Sequence, residues 1–589
     1  MKDFLFLSEL TFIMDSFTLY KSNWWFLTGA ALVNTIVFSF ILLSLTFIMG
    51  HGLGAWHFPF AIILSLLLNY FAARYFMPGE YIRAFTRSSL TILLVILLSI
   101  FISTLFYDIS FDGQMYHLES ALQMKAGWNP FKKELPPNIN QAIWLNHYGK
   151  GVEGPQATIY ALTNLIESTK ATNFILTAGS FCLSLSLLLR LNRFSVRKNF
   201  LFSILFAFNP VSFYQLLSTY VDGQLCSFLL CFIVVACFLF LEINRYYLLL
   251  LALILIMIIN IKFTSIVFAF IFTFGMLFIF LISKGWKAFK SLFIVCSIAS
   301  AFAIGVIGYF PYVMNTLQFH DPLYPGMKVL QSEAAKQTPE SFINRNRFSK
   351  FFTSFFSHTD DLHLYLNKDP AIPSKIPFTL NKTDVYNAAK PFVVHMAGFG
   401  PFFSGICISA LVLFSLFLWR LKEWKSWIPV FGLIVTVLFS VLLISEAWFA
   451  RYVPQLWFVP LFLLIVSESD RRKTISVFRN GVYLIMLLNI SFCLAAFPYL
   501  YFKSAKIKFE LDQLKASKQI IPVQFTYYTS NRARFLENEI PYREVNIPDS
   551  NAVFMINSST KYLVPSVMPD LPKPWVMRLG EWVSLRIHK

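Results

Sequence analysis

Long apolar stretches separated by short basic clusters run through most of this chain. Segments such as YLLLLALILIMIIN and LVLFSLFLW lack the polar face that a surface helix of a soluble protein carries. Measured against bilayer thickness, the pattern predicts thirteen spans, near 24–49, 57–77, 88–106, 172–190, 199–217, 224–242, 246–260, 264–283, 290–310, 399–419, 427–445, 449–467 and 476–497. The segment at 246–260 is short for a crossing and, with its successor, predicts a broken or re-entrant pair. The expected fold is an all-α polytopic membrane protein with a small α/β segment at its C-terminus.

The polar punctuation is lopsided. Short loops on one side carry Arg74, Arg83 and Arg87; Arg190, Arg193, Arg197 and Lys198; Arg245; Lys284, Lys287 and Lys290; Arg420, Lys422 and Lys425; and Arg471, Arg472 and Lys473. The opposite short loops, GHGLGAWH, STYVDG, NIKF and SEAWFARY, hold only Lys262 and Arg451. By the positive-inside rule the first set is cytoplasmic. The N-terminus is then expected inside and the C-terminus outside. The expected organisation is N-terminal spans (1–106), a first large outer loop (107–171), a transmembrane core (172–310), an outer cover loop (311–398), C-terminal spans (399–497) and an outer tail (498–589). Pro-rich breaks in the cover loop, HDPLYPG and KDPAIPSKIP, predict ordered irregular chain, and VQFTYY and EWVSLRI in the tail predict short strands.

Composition agrees with this pattern. The 589 residues are 57% hydrophobic and 14% charged. A net charge of +18 would suggest nucleic acid in a soluble protein, but the basic residues are used here as topology signals, so no nucleic-acid partner is expected. All seven cysteines lie in apolar segments without metal-ligand spacing. The N-terminus, MKDFLFLSELTFIMDSFTLYK, carries acids and no cleavage site, which predicts anchoring by the first spans.

Candidate chemistry begins at 107–130, YDISFDGQMYHLESALQMKAGWNP, just past a predicted span. The plain reading makes Asp112 the cap of an amphipathic helix that ends at Gly127, with Trp128 at headgroup depth and Glu119 on the polar face. The functional reading makes Asp112 a general base acting on an acceptor hydroxyl, with Asp108 as a second acid. A lipid-phosphate leaving group needs no strong acid, but it needs cations. Lys262 and Arg451, both against the positive-inside bias, suit that task. For each the alternatives are snorkelling to the interface or, for Arg451, a pair with Glu446.

With their order and side, these residues resemble the GT-C glycosyltransferases, in particular the branch with the aminoarabinose transferases and protein O-mannosyltransferases. The similar features are Asp112, Tyr116, Ala121 and Gly127 in the first loop; FNPVSFYQLLSTYVDGQL, a Pro-initiated helix leading to Asp222; and INIKFTS, a turn presenting Lys262. The likeness covers roughly residues 88–310. Gly113 departs from it where relatives often carry Glu, and two spans instead of one precede the catalytic loop.

The resemblance implies an inverting transferase of cell-envelope saccharides in a bacterial inner membrane, its active site facing outward. Asp112 would be the base and Lys262 and Arg451 the phosphate ligands. Asp222 would orient sugar or acceptor, and Tyr116, His117, Trp128, His147 and the loop containing Glu446 would line the cleft. The implied partners are a polyprenyl-phosphate-linked sugar, a glycan, lipid or protein acceptor, and membrane lipids. Asp108, Asp112, His117, Glu119 and Glu153 carry metal-ligating groups but match no ligand motif, and the metal-free, cofactor-free reading is preferred. The rivals are an O-antigen ligase or polymerase using Arg345, Arg347, His358, His363 and His395, and a transporter or flippase of lipid-linked saccharides.

Overall fold

The computed structural model describes residues 16–326, 338–359, 374–388, 394 and 396–587. His363 and His395 lie outside this set. Among the described residues nine helices, not thirteen, are long and apolar enough to cross a membrane: Thr18–Ile48, His57–Phe76, Tyr81–Thr104, Ile166–Leu191, Asp222–Leu241, Phe263–Lys284, Trp286–Ile307, Trp424–Leu442 and Lys473–Ala516. They make this a multi-pass integral membrane protein.

The other four expected spans fall short. Arg245–Ile261, Phe403–Leu418 and Pro454–Ser467 are apolar but only about 21–26 Å long at the helical rise, against about 30 Å of hydrocarbon. The span expected over 199–217 stops at Ala207: Asn209 accepts from Val211 N, and Pro210, having no N–H, starts a new short helix. Hydropathy counted apolar residues correctly there and missed the helix ends.

Helix Asp222–Leu241 is the centre of the bundle, with 83% of its apolar window buried, whereas Tyr81–Thr104 has 22% buried and lies at the edge. The edge helix exposes Leu90, Leu94, Leu97 and Phe101 in one stripe at helical spacing, as a lipid-facing surface requires. Arg245–Ile261 and Phe263–Lys284 meet at one extended residue, Lys262. They fold back on each other, because Tyr247 and Phe280 both pack near the far end of the central helix, on Phe238 and Phe240. The expected broken pair is therefore a hairpin with Lys262 at its tip.

Basic loops gather at that far end. Arg190 approaches Glu242, Arg245 lies over Tyr75 and Tyr246, and Glu468 takes both Lys198 and Arg479.

The tail boundary expected at 498 falls inside a helical rod, since Lys473–Leu494 passes through Ala495 into Ala496–Ala516. The end of the rod belongs to the tail: Ile507, Leu511 and Leu514 pack with Ile521, Val523, Phe535 and Tyr562. Four strands follow, β1 (Ile521–Gln524), β2 (Tyr542–Glu544), β3 (Val553–Phe554) and β4 (Lys561–Tyr562), in the order β2-β1-β4-β3. β1 pairs in parallel with β2 (Ile521 opposite Tyr542) and antiparallel with β4 (Val523 opposite Tyr562). EWVSLRI, expected as a strand, lies in helix Trp575–Ile587. That helix packs on the rod so closely that a Cβ on Gly580 would come 2.2 Å from Phe502.

Candidate functional site

The chain leaves helix Tyr81–Thr104 and is tied down at once. Asp108 is fully buried; its Oδ1 accepts from Ser110 N (2.8 Å) and Oγ (2.6 Å), its Oδ2 from Thr219 N and Oγ1 (both 2.7 Å). Both of its oxygens are thus committed to holding the loop onto the turn before Asp222. Gly113 closes this knot: a Cβ there would sit 2.2 Å from Ser110 Oγ and 2.4 Å from Asp108 Oδ2. A side chain as large as Glu has no room at this position.

Asp112 makes no capping hydrogen bond. It opens a π-helical turn, Gly113–His117, that passes into helix Leu118–Lys125, so the apolar face expected from regular α spacing holds only from Leu118 onward, where Leu118, Ala121 and Met124 are buried. The helix ends as expected at Gly127, in the left-handed region at φ +99°. Freed from capping, Asp112 Oδ2 accepts from Arg451 Nη1 at 2.8 Å, and the Asp112 N–H faces Tyr220 Oη at 3.4 Å.

Arg451 sits in a short turn, Ala450–Tyr452, and is 5% exposed. Its guanidinium is ringed by Tyr220, Tyr452 and Phe449, with centroids 5.0, 5.3 and 5.5 Å away. Burial disfavours its charge, but Asp112, reinforced by the tyrosines and Asp222, holds it above its ordinary value. Among the described residues its Nε is buried without a hydrogen-bond partner. Glu446 does not pair with Arg451; it accepts from Trp448 Nε1 and so fixes the loop that presents the arginine.

A second cation lies beside the first. Lys262, at the hairpin tip, pairs with Asp222 at the start of the central helix, and its Nζ lies 5.6 Å from the Tyr452 centroid. Gln215 Nε2 also donates to Asp222, at 3.3 Å. The Lys262 turn is gripped by the first loop: Gly151 N donates to Asn260 O (2.9 Å), and a Cβ on Gly149 or Gly151 would strike that oxygen at 2.4 or 2.7 Å. Asp112, Arg451, Asp222 and Lys262, from four distant parts of the chain, thus form one cluster of two carboxylates and two cations around Tyr220 and Tyr452.

Tyr116 and His117 border the cluster. Burial, with Asp112 nearby, raises the Tyr116 phenol well above its ordinary value. His117 Nδ1 donates to Glu153 Oε1 at 2.8 Å. Burial alone would raise the Glu153 carboxyl, but His117 and Lys150 hold it below its ordinary value. Burial pushes the Lys150 ammonium down to about 8.

The remaining sequence candidates lie elsewhere. Trp128 is buried under the loop with its Nε1 donating to Lys133 O. His147 Nδ1 donates to Asn315 Oδ1 at 3.1 Å, and its ring meets the stacked Phe319 and Tyr324 rings edge-on. Glu119, expected on a solvated face, is fully buried and accepts from Gln123 and from Thr529 of the tail. Among the described residues no group of three or more His, Cys, Asp or Glu is placed to hold a metal ion. Of the ligase candidates, Arg345 bonds Thr353 and His358 pairs with Asp384.

Sequence reasoning missed the attachment of the tail. Arg534, 2% exposed, donates to Glu167 Oε1 (2.6 and 2.9 Å) and to Asp108 O (2.7 Å). Ser530 Oγ donates to Gln114 O, and Gln114 Nε2 to Asn557 O. The tail therefore holds the segment on either side of Asp112. It missed Tyr220 too, and although Tyr452 lies in SEAWFARY, a loop expected to line the cleft, nothing in STYVDG or FARY shows that the two tyrosines share one cluster.

No family model matches this chain, and no curated protein matches it.

Proposed function

We propose that the protein is a membrane glycosyltransferase of GT-C type that moves a sugar from a polyprenyl-phosphate donor to an acceptor hydroxyl on the outer face of the membrane. One observation carries this reading: two buried cations, Arg451 with an unpartnered Nε and Lys262 at a hairpin tip, converge within a tyrosine-walled cluster, each beside a carboxylate.

The donor is a phosphodiester with one negative charge. The acceptor oxygen attacks the anomeric carbon while the bond from that carbon to the phosphate oxygen breaks, inverting the centre. The bonding pair stays on the phosphate, which leaves as a monoester with a second charge. Asp112 takes the acceptor proton. Neutralising Asp112 deprives Arg451 of its counterion just as the phosphate gains charge, so the arginine and Lys262 hold the leaving group more strongly than the donor. That difference is what accelerates a reaction. Asp222 aims Lys262, and Asp108, with both oxygens occupied, holds the loop and leaves base duty to Asp112.

The test uses purified full-length protein in vesicles with a polyprenyl-phosphate sugar and cell-envelope acceptors. Asp112→Asn should lower transfer by about 10²–10⁴-fold, the range of general-base catalysis, with unchanged membrane insertion. Transfer at the wild-type rate would remove the assignment.

A further inference from the structure

An open cleft of about 1040 Å³ lies between the first-loop segment 134–147 and the tail sheet. It stands apart from the cation cluster but joins it through one short stretch. Thr526 and Tyr527 line the cleft, the next residue, Tyr528, packs its ring on Phe111 at 6.0 Å, beside Asp112, and Thr529 and Ser530 then bond Glu119 and Gln114.

The lining is rich in amides and nearly neutral. The side-chain amides of Asn138 and Gln141 make no hydrogen bond among the described residues, and each offers an acceptor and two donors. Among the described residues of the wall the one lysine, Lys561, is paired with Asp549 at 2.5 Å, and Glu134 is also present. In a chain of net charge +18, a cleft with no unpaired Lys or Arg among its described residues is poorly matched to phosphate, nucleic acid or an acidic polymer. Tyr527 and Phe554, the latter on edge strand β3, are 63% and 49% exposed, and their rings suit the C–H faces of sugars. Gln141, in the wall, is held at φ +60°, in the left-handed region that glycine adopts most readily.

We propose that this cleft binds the acceptor, and that the acceptor is an uncharged oligosaccharide. This rests on the transferase reading and supplies its second substrate. The wall comes from two segments, Asn140 Nδ2 bonding Tyr527 O at 2.6 Å, so the tail that fixes the Asp112 loop also builds the acceptor site.

The test is binding of full-length protein in nanodiscs to an array of neutral oligosaccharides, with wild type compared to Gln141→Gly and Tyr527→Ala. Both residues are at the surface, and glycine accepts the left-handed backbone, so both variants should fold. Wild type should retain one oligosaccharide class, and each variant should bind it at least ten-fold more weakly. The proposal is overturned if no oligosaccharide is retained, if the variants bind as wild type does, or if a peptide library competes for the same face. Failure of the transferase reading would show separately, as no release of polyprenyl phosphate from the donor by wild type, whatever the array returns.

Discussion

Asp112 and Arg451 are 339 residues apart in the chain and 2.8 Å apart in the fold. The Asp112 side chain turns to a buried guanidinium instead of capping the helix that follows. This sets a carboxylate directly on the guanidinium, the contact that the proposed exchange between carboxylate and phosphate uses.

Arg451→Lys keeps the charge and loses the planar fork, including Nε. A point charge on a flexible stem should still pair with Asp112, so the protein should fold. Apparent donor KM should rise roughly ten-fold, because bidentate phosphate contact is lost. Initial-rate kinetics at varied donor concentration check this, and an unchanged KM would count against a phosphate role.

Lys262 and Asp222 are both nearly buried, with side chains 7% and 5% exposed. Lys262→Met leaves a carboxylate without its counterion and should destabilise the protein by about 3–5 kcal/mol. Asp222→Asn combined with Lys262→Met should restore most of the thermal stability in detergent but not the turnover. Recovery of both would make the pair purely structural.

Gly113→Ala forces a methyl group into the knot of Asp108, Ser110 and Thr219. Overpacking of this kind costs about 1–3 kcal/mol, and a shift of Asp112 by about 1 Å can cost about 10²-fold in rate. Thermal unfolding together with turnover tests this; wild-type values for both would show that the knot is loose.

In the tail, burial raises the Glu537 carboxyl to about 7, with Glu167 adding to the effect. The folded protein then holds a proton that the unfolded chain releases near its ordinary value of 4.5. The stability this group contributes is complete below 4.5 and falls as pH rises from 4.5 to 7. Glu537→Gln should flatten the fall and leave the tail more stable at pH 8. Hydrogen exchange of residues 521–562 across pH 5–8 measures it, and an unchanged profile would contradict the shift.

How far the sequence could be read differs from part to part. Apolar run length marked every long helix, because lipid imposes the same demand on each. It over-counted by four, because Pro210, Pro454 and an extended Lys262 cut three of the greasy stretches and the helix Phe403–Leu418 is short for a crossing. In the site, the order of residues singled out Asp112, Asp222, Lys262 and Arg451, the last two by charge against the loop bias. Asp108 was expected as a second acid beside Asp112; its four hydrogen bonds to Ser110 and Thr219, which occupy both oxygens, appear only in the fold.

The sequence by itself determined which segments are apolar enough to enter a membrane and which few charges stand out against that background. Both follow from local composition and the fixed thickness of a bilayer. The tertiary structure alone decided that Arg451 faces Asp112 and not Glu446, that Gly113 has no space for a side chain, and that the tail grips the first loop through Arg534. These depend on packing between segments hundreds of residues apart, where position is set by sterics and burial, and neither leaves a local pattern in the chain.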